Sequence, residues 1–230
     1  YDKIDIHRPY VDNIFLVSDS GKKMVRELDL IDVWFDSGAM PYAQEGLRNL
    51  DSDKFGITAD FIAEGVDQTR GWFYSLLAIS TLIVDKAPYQ NVIVLGHVQD
   101  ENGQKMSKSK GNAVDPFEAL QTHGADAIRW YFYSNSAPWL PNRFHAGAVT
   151  EGQRKFMGTL WNTYAFYALY ANIDGFDPTK YTLNKDSLSV MDKWILSKLN
   201  SAVKSVDNML ASYKITEATR VLEDFVDQLS

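Results

Sequence analysis

The sequence of 230 residues contains no cysteine. This absence excludes disulfide bonds, thiolate catalysis and cysteine-ligated zinc. The histidines lie far apart and lack the spacing of a metal-binding motif; they are His7, His97, His123 and His145. We therefore expect neither a structural metal site nor zinc.

Long apolar runs and an excess of positive charge are missing as well. No stretch reaches the roughly 18 uncharged apolar residues of a membrane-spanning helix, and the first residues lack the basic start and apolar core of a signal peptide. The 30 acidic side chains outnumber the 23 basic ones, so the chain lacks the broadly basic surface of a general nucleic-acid binder. We expect a soluble, cytoplasmic protein with no membrane partner.

Two short apolar runs, residues 60–65 and 91–98, are typical of parallel strands that are buried on both faces. The apolar segment between them, residues 67–86, is long enough for a largely buried helix. This order predicts a βαβ unit. Both strands are expected to end in glycine beside a polar residue, at Glu64-Gly65 and Gly96-His97, where open α/β sheets bind ligands.

The remaining segments give local signals. Residues 1–38 read as short β pieces, with a hairpin turn at 18–23. Asp115 and Pro116 are typical of the first positions of a helix, which Gly124 is expected to end.

A division into two domains is predicted at the proline-containing stretch 136–147. Residues 1–147 form the α/β part. Residues 148–230 have the apolar spacing of amphipathic helices and are expected to form an antiparallel helical bundle. Four tryptophans are interpreted as packing residues: Trp130, Trp139, Trp161 and Trp194.

Three lysines, Lys105, Lys108 and Lys110, crowd into six positions of an acidic chain. A lysine-rich loop is usually a solvated face. This one follows a predicted strand closely, contains serines and glycines, and precedes a capped helix, so its ammonium groups would lie where a polyphosphate binds. The spacing is not that of a Walker loop.

The residues "KMSKS" at 105–109 match the second signature of class I aminoacyl-tRNA synthetases. With "DVWFDSG" at 32–38, "AEGVDQTRGWF" at 63–73 and "GHVQDENGQKMSKSKGN" at 96–112, they resemble isoleucyl-tRNA synthetases. The resemblance implies the C-terminal half of a Rossmann-like catalytic domain, followed by the first helices of an anticodon-binding domain. It also implies that isoleucine is activated with ATP and Mg²⁺ and transferred to tRNA(Ile).

The resemblance assigns roles to individual residues. Lys105 and Lys108 are the expected catalytic groups: both would hold the ATP phosphates, and Lys108 would stabilise the charge that develops at the α-phosphate. The other expected ATP-binding residues are Gly96, His97, Val98, Met106, Ser107 and Ser109. The expected aminoacyl-adenylate-binding residues are Trp34, Glu64, Gly65, Asp67, Gln68 and Trp72.

Several of these residues have an alternative structural interpretation. Asp67 could be the N-cap of the following helix, and His97 could be a strand-end histidine with its hydrogen bonds satisfied. Trp34 and Trp72 could be ordinary core residues. For Glu64, a carboxylate at the end of a buried strand needs a partner, which favours a binding role.

The first class I signature, His-x-Gly-His, does not occur in the 230 residues. We interpret the chain as an internal fragment of a monomeric enzyme, without activity by itself. Half a parallel sheet would also expose an unpaired edge and apolar surface. The alternatives are a valine-specific class I synthetase and a tRNA-binding relative without catalytic activity.

Overall fold

The computed structural model describes residue 5 and residues 7–29, 32–44 and 58–230, and it describes the backbone but not the side chain of Lys108. The chain divides into two compact units. The first comprises Tyr1–Thr58 and Gln68–Pro88, and the second comprises Ala59–Asp67 and Tyr89–Ser230.

The first unit contains a short β-hairpin. Strand β1 (Leu16–Val17) pairs antiparallel with β2 (Lys23–Met24). Gly21 lies in the turn with a φ of 77°, a left-handed backbone that glycine adopts without steric cost. The predicted hairpin is therefore confirmed.

Helix α1 (Val33–Ala43) occupies part of the segment that was predicted as β structure, so that prediction is wrong for residues 33–38. The Asp32 carboxylate accepts hydrogen bonds from the N–H groups of Trp34, at 2.8 Å, and Phe35, at 3.2 Å. These bonds satisfy two of the N–H groups that a helix start leaves without partners. The cap outweighs the β preference of the aromatic and β-branched residues that follow it.

Helix α2 (Trp72–Val84) packs against α1 around a glycine. A Cβ atom at Gly38 would lie 2.8 Å from the backbone carbon of Ser75 and 2.9 Å from Cδ1 of Ile79. The two helices therefore approach more closely than any side chain at position 38 allows. The predicted helix is present, but it is shorter than residues 67–86, because a 3₁₀ turn at Val66–Arg70 precedes α2. Its expected burial holds for one face only, since Leu82 is 86% exposed.

The second unit contains the parallel pair. Strand β3 (Ala59–Gly65) pairs with β4 (Tyr89–Leu95) in parallel, as predicted. The expected burial on both faces is wrong, because Phe61 is 51% exposed and Leu95 is 40% exposed. Exposed apolar surface is what an uncovered parallel pair presents to solvent.

Residues 91–98 form two strands instead of the single one predicted. After β4, strand β5 (Val98–Gln99) pairs in parallel with β6 (Asn142–Arg143). The segment predicted as a boundary thus joins a sheet. Phe144, which follows β6, belongs to the core cluster, whose other buried members are Ala119, Ala127, Tyr131 and Val149.

Two helices frame that core. Helix α3 (Pro116–His123) starts where predicted, with Asp115 accepting hydrogen bonds from the N–H groups of Phe117 and Glu118. Gly124, at a φ of 80°, separates it from α4 (Ala125–Ser134). Both predictions are confirmed.

The C-terminal part is helical. It contains α5 (Ala146–Gly152), a π-helical turn at Gln153–Gly158, α6 (Thr159–Ile173), α7 (Val190–Ala211) and α8 (Ile215–Leu229). Helix α8 packs against α7 and also against α4, and the Thr216 hydroxyl donates to the Ser136 carbonyl at 3.0 Å. The C-terminal helices therefore share one compact unit with the parallel strands.

The tryptophans divide between core and surface. Trp130 is 9% exposed and stacks on Phe156 at 3.7 Å between ring centroids, as a packing residue should. Trp139, Trp161 and Trp194 are 62%, 70% and 38% exposed, so their interpretation as packing residues is wrong for this structure. None of the helices in the described residues has the length and apolar character needed to cross a membrane.

Candidate functional site

The ends of the two parallel strands lie at one edge of their sheet. Glu64 is opposite Val94 and Gly65 is opposite Leu95, so Glu64-Gly65 and the following Gly96-His97 come at the same end of the pair. This is the carboxyl edge, where open α/β sheets bind ligands. The sequence correctly predicted that these two polar strand ends share an edge.

The acidic side of this edge is formed by Glu64 and Asp67. The side chain of Glu64 is exposed, so it does not need the partner that a buried carboxylate would require. Asp67 is not the N-cap of α2, which is Gly71. Its Oδ1 atom lies over Gly65, where a Cβ atom would be 2.5 Å away. The interpretation of Asp67 as an N-cap is therefore wrong.

Gly96 is required by the chain's own packing. A Cβ atom there would lie 2.2 Å from the carbonyl oxygen of Leu140, and the N–H of Gly96 donates to the Pro138 carbonyl at 2.8 Å. The next residue, His97, uses its carbonyl to accept from the N–H of Asn142 at 3.0 Å. Its imidazole is exposed and makes no hydrogen bond within the described residues. The alternative of a fully satisfied strand-end histidine thus finds no support.

The loop of residues 100–112, here called the lysine loop, is closed by two residues that the sequence did not predict. The side-chain amide of Asn112 donates to Oδ2 of Asp100 at 2.8 Å and to the Lys105 carbonyl at 3.3 Å. Its Oδ1 atom accepts from the N–H of Ser107 at 2.9 Å. Asn112 therefore connects the start, middle and end of the loop.

Asp100 has further partners in the turn that it begins. Its Oδ1 atom accepts from the N–H groups of Asn102, at 3.0 Å, and Gln104, at 2.8 Å. These bonds hold the pKa of Asp100 below its ordinary value, the Asn112 amide most and the Gln104 N–H next, with the nearby charge of Arg143 adding to them. The "DENG" sequence at 100–103 is a turn signal of the kind that identifies such an aspartate.

The lysine signature has one apolar anchor. Met106 is half-buried and packs against the core cluster. It also lines an apolar cavity of about 380 Å³, whose walls include Val98, Ala119 and Phe132. Met106 therefore fixes the backbone between Lys105 and Ser107 to the core.

The polar residues in and next to the signature differ in what their described side chains contact. Lys105 and Lys110 are exposed, and within the described residues neither lies within ion-pair distance of a carboxylate. The hydroxyls of Ser107 and Ser109 are 2.8 Å apart. Lys108 begins a 3₁₀ turn, but its side chain lies outside the described residues. The exposed ammonium groups and hydroxyl pair can bind an anion without first breaking an ion pair.

Three of the residues predicted to bind the aminoacyl-adenylate lie around the start of α2 in the first unit. Oε1 of Gln68 accepts from the N–H of Trp72 at 3.0 Å, and the indole N–H of Trp72 donates to the Ser37 carbonyl at 3.3 Å. A Cβ atom at Gly71 would lie 2.7 Å from Gln68 Oε1 and 3.2 Å from Cη2 of Trp34. The structure thus brings Trp34, Gln68 and Trp72 together.

Trp34 is 41% exposed and lines an open cleft of about 320 Å³ with Asp32, Phe35 and Tyr74. Trp72 is half-buried against α1 and is not among the residues that line this cleft. The interpretation of Trp34 as a core residue is therefore wrong. A role for both tryptophans in ligand binding stays a prediction.

No group of histidine, aspartate and glutamate side chains in the described residues could hold a metal ion. A divalent cation that accompanies a polyphosphate would take its ligands from the phosphates and water, as Mg²⁺ does at many nucleotide sites. The exposed lysines of the lysine loop would then neutralise the phosphate charge that the cation leaves uncompensated.

Two family models match the chain. Residues 2–139 match the family described as tRNA synthetases class I (I, L, M and V), and residues 192–230 match the anticodon-binding domain of tRNA ligase. The second match falls on helices α7 and α8.

Curated relatives match over the whole chain. The isoleucine–tRNA ligase of Clostridium novyi (strain NT) is 58% identical over 100% of this chain, and that of Bacteroides fragilis (strain YCH46) is 55% identical over 100%. The chain spans 22% and 21% of the length of these two proteins.

Solved structures share the fold. The Agrobacterium radiobacter K84 LeuRS in its ternary complex with tRNA and LeuAMS matches 94% of this chain and 28% of its own, with a TM-score of 0.74 and 19% identity. Mycobacterium tuberculosis methionyl-tRNA synthetase in complex with methionyl-adenylate matches 85% of this chain and 38% of its own, with a TM-score of 0.68 and 18% identity. The fold of the matched region is thus one that these synthetases have.

Proposed function

Since the chain belongs to the class I tRNA synthetase family, we propose that it is part of an isoleucine–tRNA ligase. The whole enzyme activates isoleucine with ATP to isoleucyl-adenylate and transfers the amino acid to tRNA(Ile). The observation that carries the proposal is the lysine loop, which follows the carboxyl edge of the parallel strands and exposes Lys105 without an acidic partner among the described residues. Identities of 55% and 58% with two proteins named isoleucine–tRNA ligase support the choice of substrate.

The proposed chemistry is electrostatic. As the carboxylate of isoleucine attacks the α-phosphate of ATP, negative charge grows on the phosphate oxygens and on the departing pyrophosphate. Lys105 and Lys108 stabilise that charge, and the hydroxyls of Ser107 and Ser109 donate hydrogen bonds. No general base is needed, because the attacking carboxylate is already ionised at neutral pH.

The neighbouring edge residues bind the rest of the nucleotide. Gly96 and Val98 present backbone groups to the adenine, and the exposed imidazole of His97 is available to the ribose or the phosphates. Met106 contributes by anchoring the lysine loop to the core cluster. Mg²⁺ binds with the nucleotide, and its protein ligands are not drawn from a preformed cluster among the described residues.

The residues predicted to bind the aminoacyl-adenylate hold its amino-acid part. Glu64 and Asp67 accept hydrogen bonds from the ammonium group and the ribose hydroxyls, with Gly65 allowing close approach. Trp34 and Trp72 form walls for the isoleucine side chain, and Gln68 orients the start of α2. An apolar wall distinguishes one methylene by about 1–3 kcal/mol, a known magnitude whose standard example is isoleucine against valine in this same family of enzymes.

The finer architecture is part of the proposal. Residues 1–147 form the C-terminal half of a Rossmann-like catalytic domain, and residues 148–230 begin an antiparallel helical bundle that binds the anticodon region. The order of β3, α2 and β4 along the chain is that of a βαβ unit, which supports the first assignment. The enzyme acts as a cytoplasmic monomer.

Two other functions are less well supported. A valine-specific class I enzyme would have the same scaffold, but the two curated relatives are named for isoleucine. A tRNA-binding relative without catalysis is less well supported because the two curated relatives are named as ligases.

The test is amino-acid-dependent ATP–pyrophosphate exchange by the full-length protein. We expect exchange with isoleucine and much weaker exchange with valine at equal concentration. A preference for valine would contradict the substrate assignment. Exchange with neither amino acid, in a protein that still binds tRNA, would support the non-catalytic alternative.

A further inference from the structure

We propose that Asp100 and Asn112 are positioning residues for adenylation. Their hydrogen-bonded side chains, here called the clasp, set the backbone from Lys105 to Ser107 and so the direction in which the lysines meet the phosphates. This inference rests on the proposed function, because it concerns how that same site is assembled. Neither side chain is expected to touch the reacting atoms.

Asn112 holds the loop through both ends of its amide. The NH₂ group donates to the Asp100 carboxylate and to the Lys105 carbonyl, while the oxygen accepts from the Ser107 N–H. A rotated amide would point its NH₂ group at the Ser107 N–H and its oxygen at a carboxylate. The partners therefore fix one orientation, in which a donor and an acceptor are supplied by the same short side chain.

Asp100, the partner of the Asn112 amide, is itself held by the backbone of the turn that it begins. Its second oxygen accepts from the backbone N–H groups of Asn102 and Gln104, and its own N–H donates to the Gln104 carbonyl at 2.9 Å. Hydrogen bonds to an ionised carboxylate are about twice as strong as those between neutral groups. The turn at the start of the loop is thus rigidly joined to the residue that ends it.

Lys105 and Ser107 lie on either side of Met106, whose side chain packs against the core cluster. The clasp holds the Lys105 carbonyl and the Ser107 N–H, and Met106 holds the residue between them. With its backbone fixed by both anchors, the exposed side chain of Lys105 starts from a defined position. Loss of the clasp should leave Met106 in place but let the neighbouring peptide groups rotate.

The clasp is local, which separates a positioning role from a role in folding. All of its hydrogen bonds join residues within the lysine loop, and Asp100 and Asn112 are half-buried at the surface of the second unit. We therefore expect its removal to disturb the loop while the compact unit stays folded.

The first experiment measures ATP–pyrophosphate exchange by full-length Asn112→Ala. A loop displaced by about 1 Å can lower a rate by about a hundredfold, so we expect a fall in kcat of about tenfold to a hundredfold. The KM for isoleucine should stay within about twofold, because the amino-acid residues are elsewhere in the chain. The matched control is Asn102→Ala: its side chain is exposed, and its contact with Asp100 is made by the backbone N–H. Wild-type kcat in Asn112→Ala would overturn the inference.

The second experiment exchanges the two partners. In Asn112→Asp two carboxylates face each other and repel, and the hydrogen bond from the side chain of residue 112 to the Lys105 carbonyl is lost. In the double variant Asp100→Asn with Asn112→Asp, the amide at position 100 can donate to the carboxylate at position 112, which can still accept from the Ser107 N–H. We expect the double variant to recover at least about threefold in kcat over Asn112→Asp, since residues in contact do not act additively. No recovery would count against the clasp.

A readout without activity separates this inference from the proposed function. Hydrogen exchange of the peptide 103–112 should be faster in Asn112→Ala than in wild type, while peptides from α4 keep their protection. Unchanged protection would overturn the clasp even in an active enzyme. The wild-type enzyme could lack ATP–pyrophosphate exchange while the loop of Asn112→Ala still loses its protection against hydrogen exchange. In that case the proposed function fails, and the clasp remains as a structural feature of the loop.

Discussion

The lysine loop and the pair of helices α1 and α2 hold two groups of residues for which binding roles are predicted, and the two groups are stabilised by different forces. In the loop, polar side chains bond to nearby backbone groups, with Asp100 and Asn112 at the centre. In the helix pair, Gly38 lets two helices pack closely, and α2 buries Phe73, Leu76 and Ile79. The first arrangement is local and polar, whereas the second is apolar and joins segments far apart in sequence.

The difference bears on the roles proposed for the two regions. The loop is held by a few local, half-buried hydrogen bonds, which would position the groups proposed to meet a leaving pyrophosphate without involving the core. A wall on packed helices cannot shift by a fraction of an ångström without disturbing the core, which suits discrimination between amino acids that differ by one methylene. Substitutions in the lysine loop and in the helix pair should therefore have different kinds of effect.

The largest expected effect comes from Lys108→Ala in the full-length enzyme. If Lys108 stabilises the charge that develops in the transition state, its loss should lower the adenylation rate about a hundredfold to a thousandfold, as loss of an oxyanion donor does. Affinity for tRNA should hardly change. Lys110→Ala, at an exposed position outside the signature, is the control and should be nearly as active as wild type. Equal losses in both variants would mean that the loop acts through its overall charge.

An intermediate effect is expected in the helix pair from Gly38→Ala. The added methyl would lie 2.8 Å from the backbone carbon of Ser75, which must shift. Overpacking of this kind typically costs about 1–3 kcal/mol in the free energy of unfolding, measurable as a lower midpoint in urea. The matched control is Gly152→Ala in α5, where the nearest atom, Cδ1 of Trp130, is 3.9 Å away. An unchanged midpoint for Gly38→Ala would contradict the close approach of α1 and α2.

The smallest effect concerns the pH dependence of the loop. The pKa of Asp100 lies below its ordinary value of 3.8 in the folded chain. A carboxylate with a lowered pKa stabilises the folded loop above that ordinary value, and the contribution is lost as the pH falls through the folded pKa. The protection of the loop amides against hydrogen exchange should therefore differ between wild type and Asp100→Asn at neutral pH. The two proteins should become alike as the pH falls below 3.8 and through the lower pKa of the folded chain.

The control for that comparison is Glu101→Gln, which removes a neighbouring exposed carboxylate. Glu101 makes no side-chain hydrogen bond or ion pair within the described residues. Its substitution should leave loop protection close to wild type at every pH. If Glu101→Gln and Asp100→Asn behave alike, net charge and not the clasp governs the loop.

Local signals explain what the sequence predicted correctly. Asp115 and Pro116 marked the start of α3, and Gly124 marked its end, because capping and left-handed backbone depend on the residue at that position and its immediate neighbours. The grouping of strand ends at one edge followed from the parallel order of β3 and β4. These features need no knowledge of distant contacts.

What was missed depends on contacts that local signals do not contain. The β-branched and aromatic residues after Asp32 favour a strand, and the cap together with packing on α2 decided for a helix. The contact between Asp100 and Asn112 joins residues 12 apart, beyond the range of a turn signal. Burial of β3 was overestimated, since an apolar run indicates what a strand could bury and not what covers it.

The most direct measurement is a crystal structure of the full-length protein with isoleucine and an ATP analogue in which a methylene group replaces the oxygen between the α- and β-phosphates. We expect the ammonium groups of Lys105 and Lys108 at about 2.7–2.9 Å from phosphate oxygens, the distance of charge-assisted hydrogen bonds. We also expect the isoleucine side chain against Trp34, and the Asn112 amide still bonded to Asp100 and Ser107. A phosphate bound elsewhere, with both lysines in solvent, would contradict the proposed site.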